Sequence, residues 1–152
     1  MIRRFADLVS SGFGSGYAPK APGTFGSVAA GVLWLALERT SALTFLSPLV
    51  LAIGVAVFGF VASTVSLSGE RSSDPQWIVV DEWAGLFVAL CGVEAFNLGH
   101  VVIALVGFRV LDITKPGPVG WAERLPGALG VMADDIVAGA IVLLGFVVYR
   151  CI

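Results

Sequence analysis

The chain has 152 residues, of which 57% are hydrophobic and 13% charged, with a formal net charge of −2. Soluble domains carry about 25% charged residues, so this composition belongs to the membrane class and leaves room for one domain, residues 1–152. The small charge, with no basic run or basic–aromatic spacing, argues against a nucleic-acid partner.

Residues 2–10 predict a short amphipathic helix on the membrane surface, with Arg3 and Arg4 toward lipid headgroups. The first residues lack the apolar core of a signal peptide, so insertion is expected through internal helices, with the N-terminus retained. The loop SGFGSGYAPKAPGTFGS follows. Gly12, Gly14 and Gly16 leave backbone amides accessible, and Thr24 or Ser27 can cap the next helix, a pattern able to cradle phosphate. It is no Walker A motif, because no Gly-Lys-Ser/Thr follows the glycines; read alone, it is better described as a turn-rich connection.

Five apolar segments then predict membrane helices at 25–37, 48–67, 78–96, 98–111 and 131–149. The second and fifth reach the roughly 20 residues that spanning requires, while the first and fourth are short. The fold expected is an all-α integral membrane bundle with a site built from loops and helix ends. Five crossings place Arg3, Arg4, Lys20, Arg71, Arg109, Lys115 and Arg124 on one face and only Arg39 and Arg150 on the other. The positive-inside rule makes the first face cytoplasmic, and Trp77, Trp83 and Trp121 fit interfacial anchors near it.

That same face collects Asp81, Glu82, Asp112, Asp134 and Asp135. A carboxylate at the centre of a membrane helix costs about 2.5–3.5 kcal/mol on insertion scales, so five in one chain suggest a shared polar site. Asp81-Glu82 and Asp134-Asp135 each open an apolar helix, with Gly85 and Gly139 four residues after Asp81 and Asp135. Those glycines share a helical face with the acids and permit close helix approach. Either pair alone reads more readily as an N-terminal cap. Two pairs plus Asp112 point to an oxygen-only site for Mg²⁺. No soft-ligand set supports zinc or copper. Arg109, Asp112 and Lys115, three apart until Pro116, form either an ion-pair ladder or a metal ligand between two phosphate-binding cations.

The remaining reactive residues are assigned structural roles. His100 falls on the opposite face, and Cys91 and Cys151 have no metal-ligand spacing and read as packing residues. Ser63, Thr64 and Ser66 read as backbone or interhelical hydrogen-bonding groups.

Four blocks, GFGSGYAPKAPGTFGSVAA at 12–30, DPQWIVVDEWAG at 74–85, FRVLDITKPGPV at 108–119 and GALGVMADDIVAGA at 127–140, resemble the bacterial phosphatidylglycerophosphatase A family in order and spacing. The resemblance implies a Mg²⁺-dependent multi-pass enzyme of the inner membrane, with its site facing the cytoplasm. Its reaction would remove the terminal phosphate of phosphatidylglycerophosphate. Carried over block by block, it implies metal ligands Asp81, Glu82, Asp134 and Asp135, with Asp112, Asp135 and Glu82 in catalysis. Lys20, Thr24, Arg109 and Lys115 are the expected phosphate contacts, and Asp74 and Ser15 are further candidates. Ser73 and Gly120 depart from the family pattern, which has basic residues in those places.

Two rival readings are weaker. Phospho-alcohol transfer between lipids uses a D-x-x-D-G-x-x-A-R motif that is absent, and an ion path would spread its acids through the bilayer.

Overall fold

The computed structural model describes residues 1–40, 48–68, 75–94 and 97–152, and among these there is no strand. The described residues form seven α-helices: α1 (Ile2–Ser10), α2 (Pro22–Arg39), α3 (Pro48–Leu67), α4 (Val80–Leu90), α5 (Leu98–Thr114), α6 (Pro118–Ala122) and α7 (Ala128–Cys151). A single 3-10 turn, Ser15–Tyr17, lies between α1 and α2.

The helix ends follow local chemistry. Pro22 opens α2 behind Ala21, which is left-handed at φ 48°. Asn97 caps α5, its side chain accepting from the His100 N–H at 3.0 Å. At the other end Lys115 turns left-handed at φ 46°, and Pro116 prevents continuation. Gly127, at φ 59°, precedes α7.

The fold revises two readings. Helix α7 starts at Ala128, so Asp134-Asp135 lies inside that helix and neither opens nor caps it. The third predicted segment is shortened. Instead of an apolar helix over 78–96, α4 has 11 residues and ends at Leu90. It spans about 16 Å, too short for the roughly 30 Å hydrocarbon core. The chain turns at Cys91-Gly92, where a side chain on Gly92 would stand 2.9 Å from Leu143 and Phe146 of α7. Nine residues of α4, from Val80 to Leu90, are buried. Its apolarity is that of a core helix enclosed by α2, α3, α5 and α7. Trp83 is accordingly no interfacial anchor: it is buried and packs near Phe13 and Phe87.

The surrounding helices carry the apolar exterior. Among the described residues, α3 and α7 are long and apolar enough to cross a membrane. Their outward side chains, such as Ile53, Val57, Phe58, Leu144 and Val148, are exposed, as are Val102 and Val106 of α5. So much exposed hydrocarbon is stable against lipid and unfavourable in water. The helix α1 forms at the predicted residues and leaves Arg3 and Arg4 exposed, but it is clasped to α3. Ser66 Oγ donates to Asp7 Oδ1 at 2.8 Å and lies 3.1 Å from Ser10 Oγ. Ser63 is buried without a hydrogen-bond partner, so only Thr64 and Ser66 of that trio meet their expected role. Cys91 packs against its own helix, whereas Cys151 is exposed at the end of α7 and is not a packing residue.

Candidate active site

The approach of α4 to α7 builds the site. A side-chain carbon on Gly85 would stand 2.4 Å from the Asp135 carbonyl, and one on Gly139 would stand 2.0 Å from the Gly85 carbonyl. Only two glycines allow backbones this close. Because Asp81 and Asp135 sit one turn before those glycines, the contact brings their carboxylates together. Asp81, Glu82 and Asp135 each place an oxygen within 4.8 Å of the others'.

These three acids are largely removed from water, Asp81 and Asp135 being 6% and 3% exposed. Two ionised carboxylates about 4 Å apart repel by roughly 4 kcal/mol at an effective dielectric of 20. Glu82 Oε2 and Asp135 Oδ1 are buried with no hydrogen-bond partner. A hard cation satisfies both requirements: it neutralises the repulsion and takes up oxygens that no protein donor reaches. The donor set therefore fits Mg²⁺.

A cavity of about 290 Å³ opens over this group. From α5, Arg109 reaches Asp112 Oδ2 at 2.6 Å and Glu82 Oε1 at 3.5 Å. Lys115 donates to Asp134 and lies 3.8 Å from Asp112 and 3.4 Å from Glu123. Partial burial works against the Lys115 charge. The hydrogen bond and charge of Asp134, with Asp112 and Glu123, outweigh burial and raise its pKa above the ordinary lysine value. It is a fixed cation. Asp134 is thus engaged by an ammonium, while its neighbour Asp135 joins the acidic group.

The other expected residues are distributed differently. Lys20 is exposed and Thr24 half-buried, and neither lines the cavity. Ser15 Oγ donates to the Gly12 carbonyl at 2.9 Å and so serves its own turn. The amides of Gly12, Gly14 and Gly16 donate to Val9, Ser11 and Ser11, which corrects their reading as open phosphate donors. The loop packs instead on the segment before α4: Val79 N–H donates to Ser10 O at 2.8 Å, and a side chain on Gly16 would collide with Trp77 O. Asp74 lies outside the described residues.

Sequence reasoning overlooked Ala21, Pro22, Gly23 and Gln76, all of which line the cavity. A side chain on Gly23 would stand 2.1 Å from Glu82 Oε1 and 3.1 Å from the Arg109 guanidinium. The signal was available in the Pro-Gly pair at the first turn of a helix, which marks an N-terminus able to face an anion. Gly120, where the chain departs from the family pattern, lets α6 pass under the Lys115 carbonyl, 2.7 Å from where its side chain would begin. His100 lies outside the cavity and packs near Phe146 and Tyr149.

Comparisons with known proteins give the family of the chain. The family model for phosphatidylglycerophosphatase A matches residues 8–150. The chain is 36% identical over 139 residues to phosphatidylglycerophosphatase A of Escherichia coli, covering 88% of this chain and 77% of the relative. It is 31% identical over 135 residues to the Haemophilus influenzae protein of the same name, covering 86% and 80%. A Bacteroides thetaiotaomicron protein with the provisional name phosphatidylinositol-3-phosphatase is 36% identical over 135 residues, covering 87% and 85%. No solved structure matches the chain. The chain belongs to the phosphatidylglycerophosphatase A family, and it is a phosphatase of that family.

Proposed function

We propose that the protein hydrolyses the terminal phosphate monoester of phosphatidylglycerophosphate, giving phosphatidylglycerol and inorganic phosphate, with Mg²⁺ as cofactor. The observation that carries this reading is one cavity holding three clustered carboxylates beneath two phosphate-sized cations, Arg109 and Lys115. Asp81, Glu82 and Asp135 would hold the metal, with Asp134 brought in when Lys115 turns to substrate. Mg²⁺ held there would supply positive charge to offset the phosphoryl oxygens and would make water at the site more acidic.

The chain's own residues do the remainder. Arg109 and Lys115 bind the non-bridging oxygens, and the N-terminus of α2 at Gly23 adds its dipole. Lys115 holds its proton too tightly to serve as an acid, so it orients and stabilises. Asp112 accepts the proton of the attacking water as its oxygen bonds to phosphorus. The bond from phosphorus to the glycerol oxygen breaks, and that oxygen takes a proton from solvent.

The apolar exterior and the basic residues at the predicted cytoplasmic face support a multi-pass protein of the bacterial inner membrane, with this site facing the cytoplasm. The test is phosphate release by the purified chain in detergent, with and without Mg²⁺. Release from phosphatidylglycerophosphate that stops on chelation is the expected result. Release only from phosphatidylinositol 3-phosphate, the substrate in one relative's name, would move the assignment to another lipid phosphate. No release from either lipid ends the reading.

A further inference from the structure

A second cleft has the reverse chemistry of the acidic cavity. A groove of about 570 Å³ runs between α1 and α3, with Val80 and Trp83 of α4 in its wall. Its α3 side extends from Val50 to Val65, about 22 Å at 1.5 Å per residue, against about 15 Å for half a bilayer's hydrocarbon. Phe5, Phe13, Phe58 and small aliphatic residues supply the rest of the lining. Trp83 is the one lining side chain that carries a polar group, its indole N–H. Trp83 is 7% exposed, and its Nε1 is buried without a hydrogen-bond partner. Gly12 also lines the groove, at φ 54°, and any side chain there would begin 2.5 Å from that nitrogen.

The groove also adjoins the site. Val80 and Trp83 flank Asp81 and Glu82 in the chain. Val80 packs with Ile78 and Met132, and Ile78 lines the acidic cavity, so a single side-chain layer separates the two. Bulk hydrocarbon needs no donor, and a desolvated N–H is costly without an acceptor. A lipid supplies both parts at once, a chain for the groove and an ester carbonyl for the indole.

We propose that this groove holds an acyl chain of the lipid phosphate substrate, with the Trp83 N–H donating to its ester carbonyl; this rests on the lipid phosphatase reading above. The test uses the full chain in detergent micelles. Gly54→Phe fills the groove, and nothing lies within 4 Å of a side-chain carbon added there. On long-chain diacyl substrate KM rises on the order of tenfold, equivalent to losing about two buried methylenes, with kcat unchanged. On the deacylated headgroup phosphate kcat/KM does not move. Equal effects on both substrates, or none on either, overturn the groove. Trp83→Phe keeps a ring and removes the donor, so the wild-type preference for ester-linked over ether-linked lipid disappears. A preference that survives the substitution, or that the wild type lacks, overturns the carbonyl contact.

Photocrosslinking separates this proposal from the phosphatase reading. A lipid phosphate bearing a diazirine on its acyl chain labels Phe5, Phe13 or Phe58, and unlabelled lipid phosphate competes while phosphatidylcholine does not. Labelling that both lipids compete away equally means annular lipid only and overturns the groove. Selective labelling without phosphate release upholds the groove and overturns the phosphatase reading.

Discussion

The acidic group between α4 and α7 and the charged ladder on α5 lie in one cavity but manage charge in opposite ways. Asp81, Glu82 and Asp135 are crowded within 4.8 Å and keep two oxygens without donors. Among the described residues their one basic contact is Arg109 at 3.5 Å from Glu82. On the ladder, Arg109 pairs with Asp112, and Lys115 pairs with Asp134, Asp112 and Glu123. The first region carries crowded negative charge that an outside cation would offset. The second is already neutralised, so under the proposed function its cations would exchange carboxylate partners for phosphate when substrate arrives. A buried ion pair is costly to break without a replacement, which favours a doubly charged phosphate over a neutral headgroup.

The sharpest way to break this contrast is Asp135→Asn. It removes charge from the crowded region, and phosphate release should fall on the order of a thousandfold with loss of Mg²⁺ binding by calorimetry. A variant that works at the wild-type rate would move the chemistry away from α4 and α7. Gly139→Ala acts on the geometry alone. Its added methyl would overlap the Gly85 carbonyl and destabilise the fold by about 1–3 kcal/mol, read as a lower Tm in detergent. Turnover should fall about a hundredfold, since displacement near 1 Å is enough to spoil alignment.

On the ladder the effects are smaller. Lys115→Met should raise KM for the lipid phosphate on the order of tenfold, as one phosphate contact is lost. Lys115 has a higher pKa folded than unfolded, so its stabilising contribution is complete below the unfolded value of 10.5. It is lost only as pH rises through the folded value. The stability gap between wild type and Lys115→Met should therefore stay constant from about pH 6 to 9, measured by unfolding in detergent. A gap that narrows across that range would show that Lys115 loses its proton early. Smallest of all, Lys20→Ala should leave kcat/KM within about twofold, because an exposed residue outside the cavity contributes little.

Much of the site was legible because its spacing is local. Asp81 and Gly85, Asp135 and Gly139, and Arg109, Asp112 and Lys115 each lie within a turn or two of one helix, where three- and four-residue intervals fix a common face. Gly23 and Gln76 escaped notice because their place in the cavity comes from packing between segments about 50 residues apart. The N-terminal glycines were misread for a related reason. Their composition permits open amides, but the turn that forms turns those amides back on its own carbonyls.

The sequence by itself determined that the chain is helical, apolar outside and acidic at one site, and which family it resembles. All of this follows from composition and short-range periodicity. Only the tertiary structure decided that α4 is a core helix, that Asp134 is held by Lys115 while Asp135 joins the acidic group, and that Trp83 faces inward. The physical reason is that hydropathy records the absence of water and not what replaces it. An apolar residue against lipid and one against protein read alike, and so do two adjacent aspartates until a neighbouring helix meets one of them with a cation.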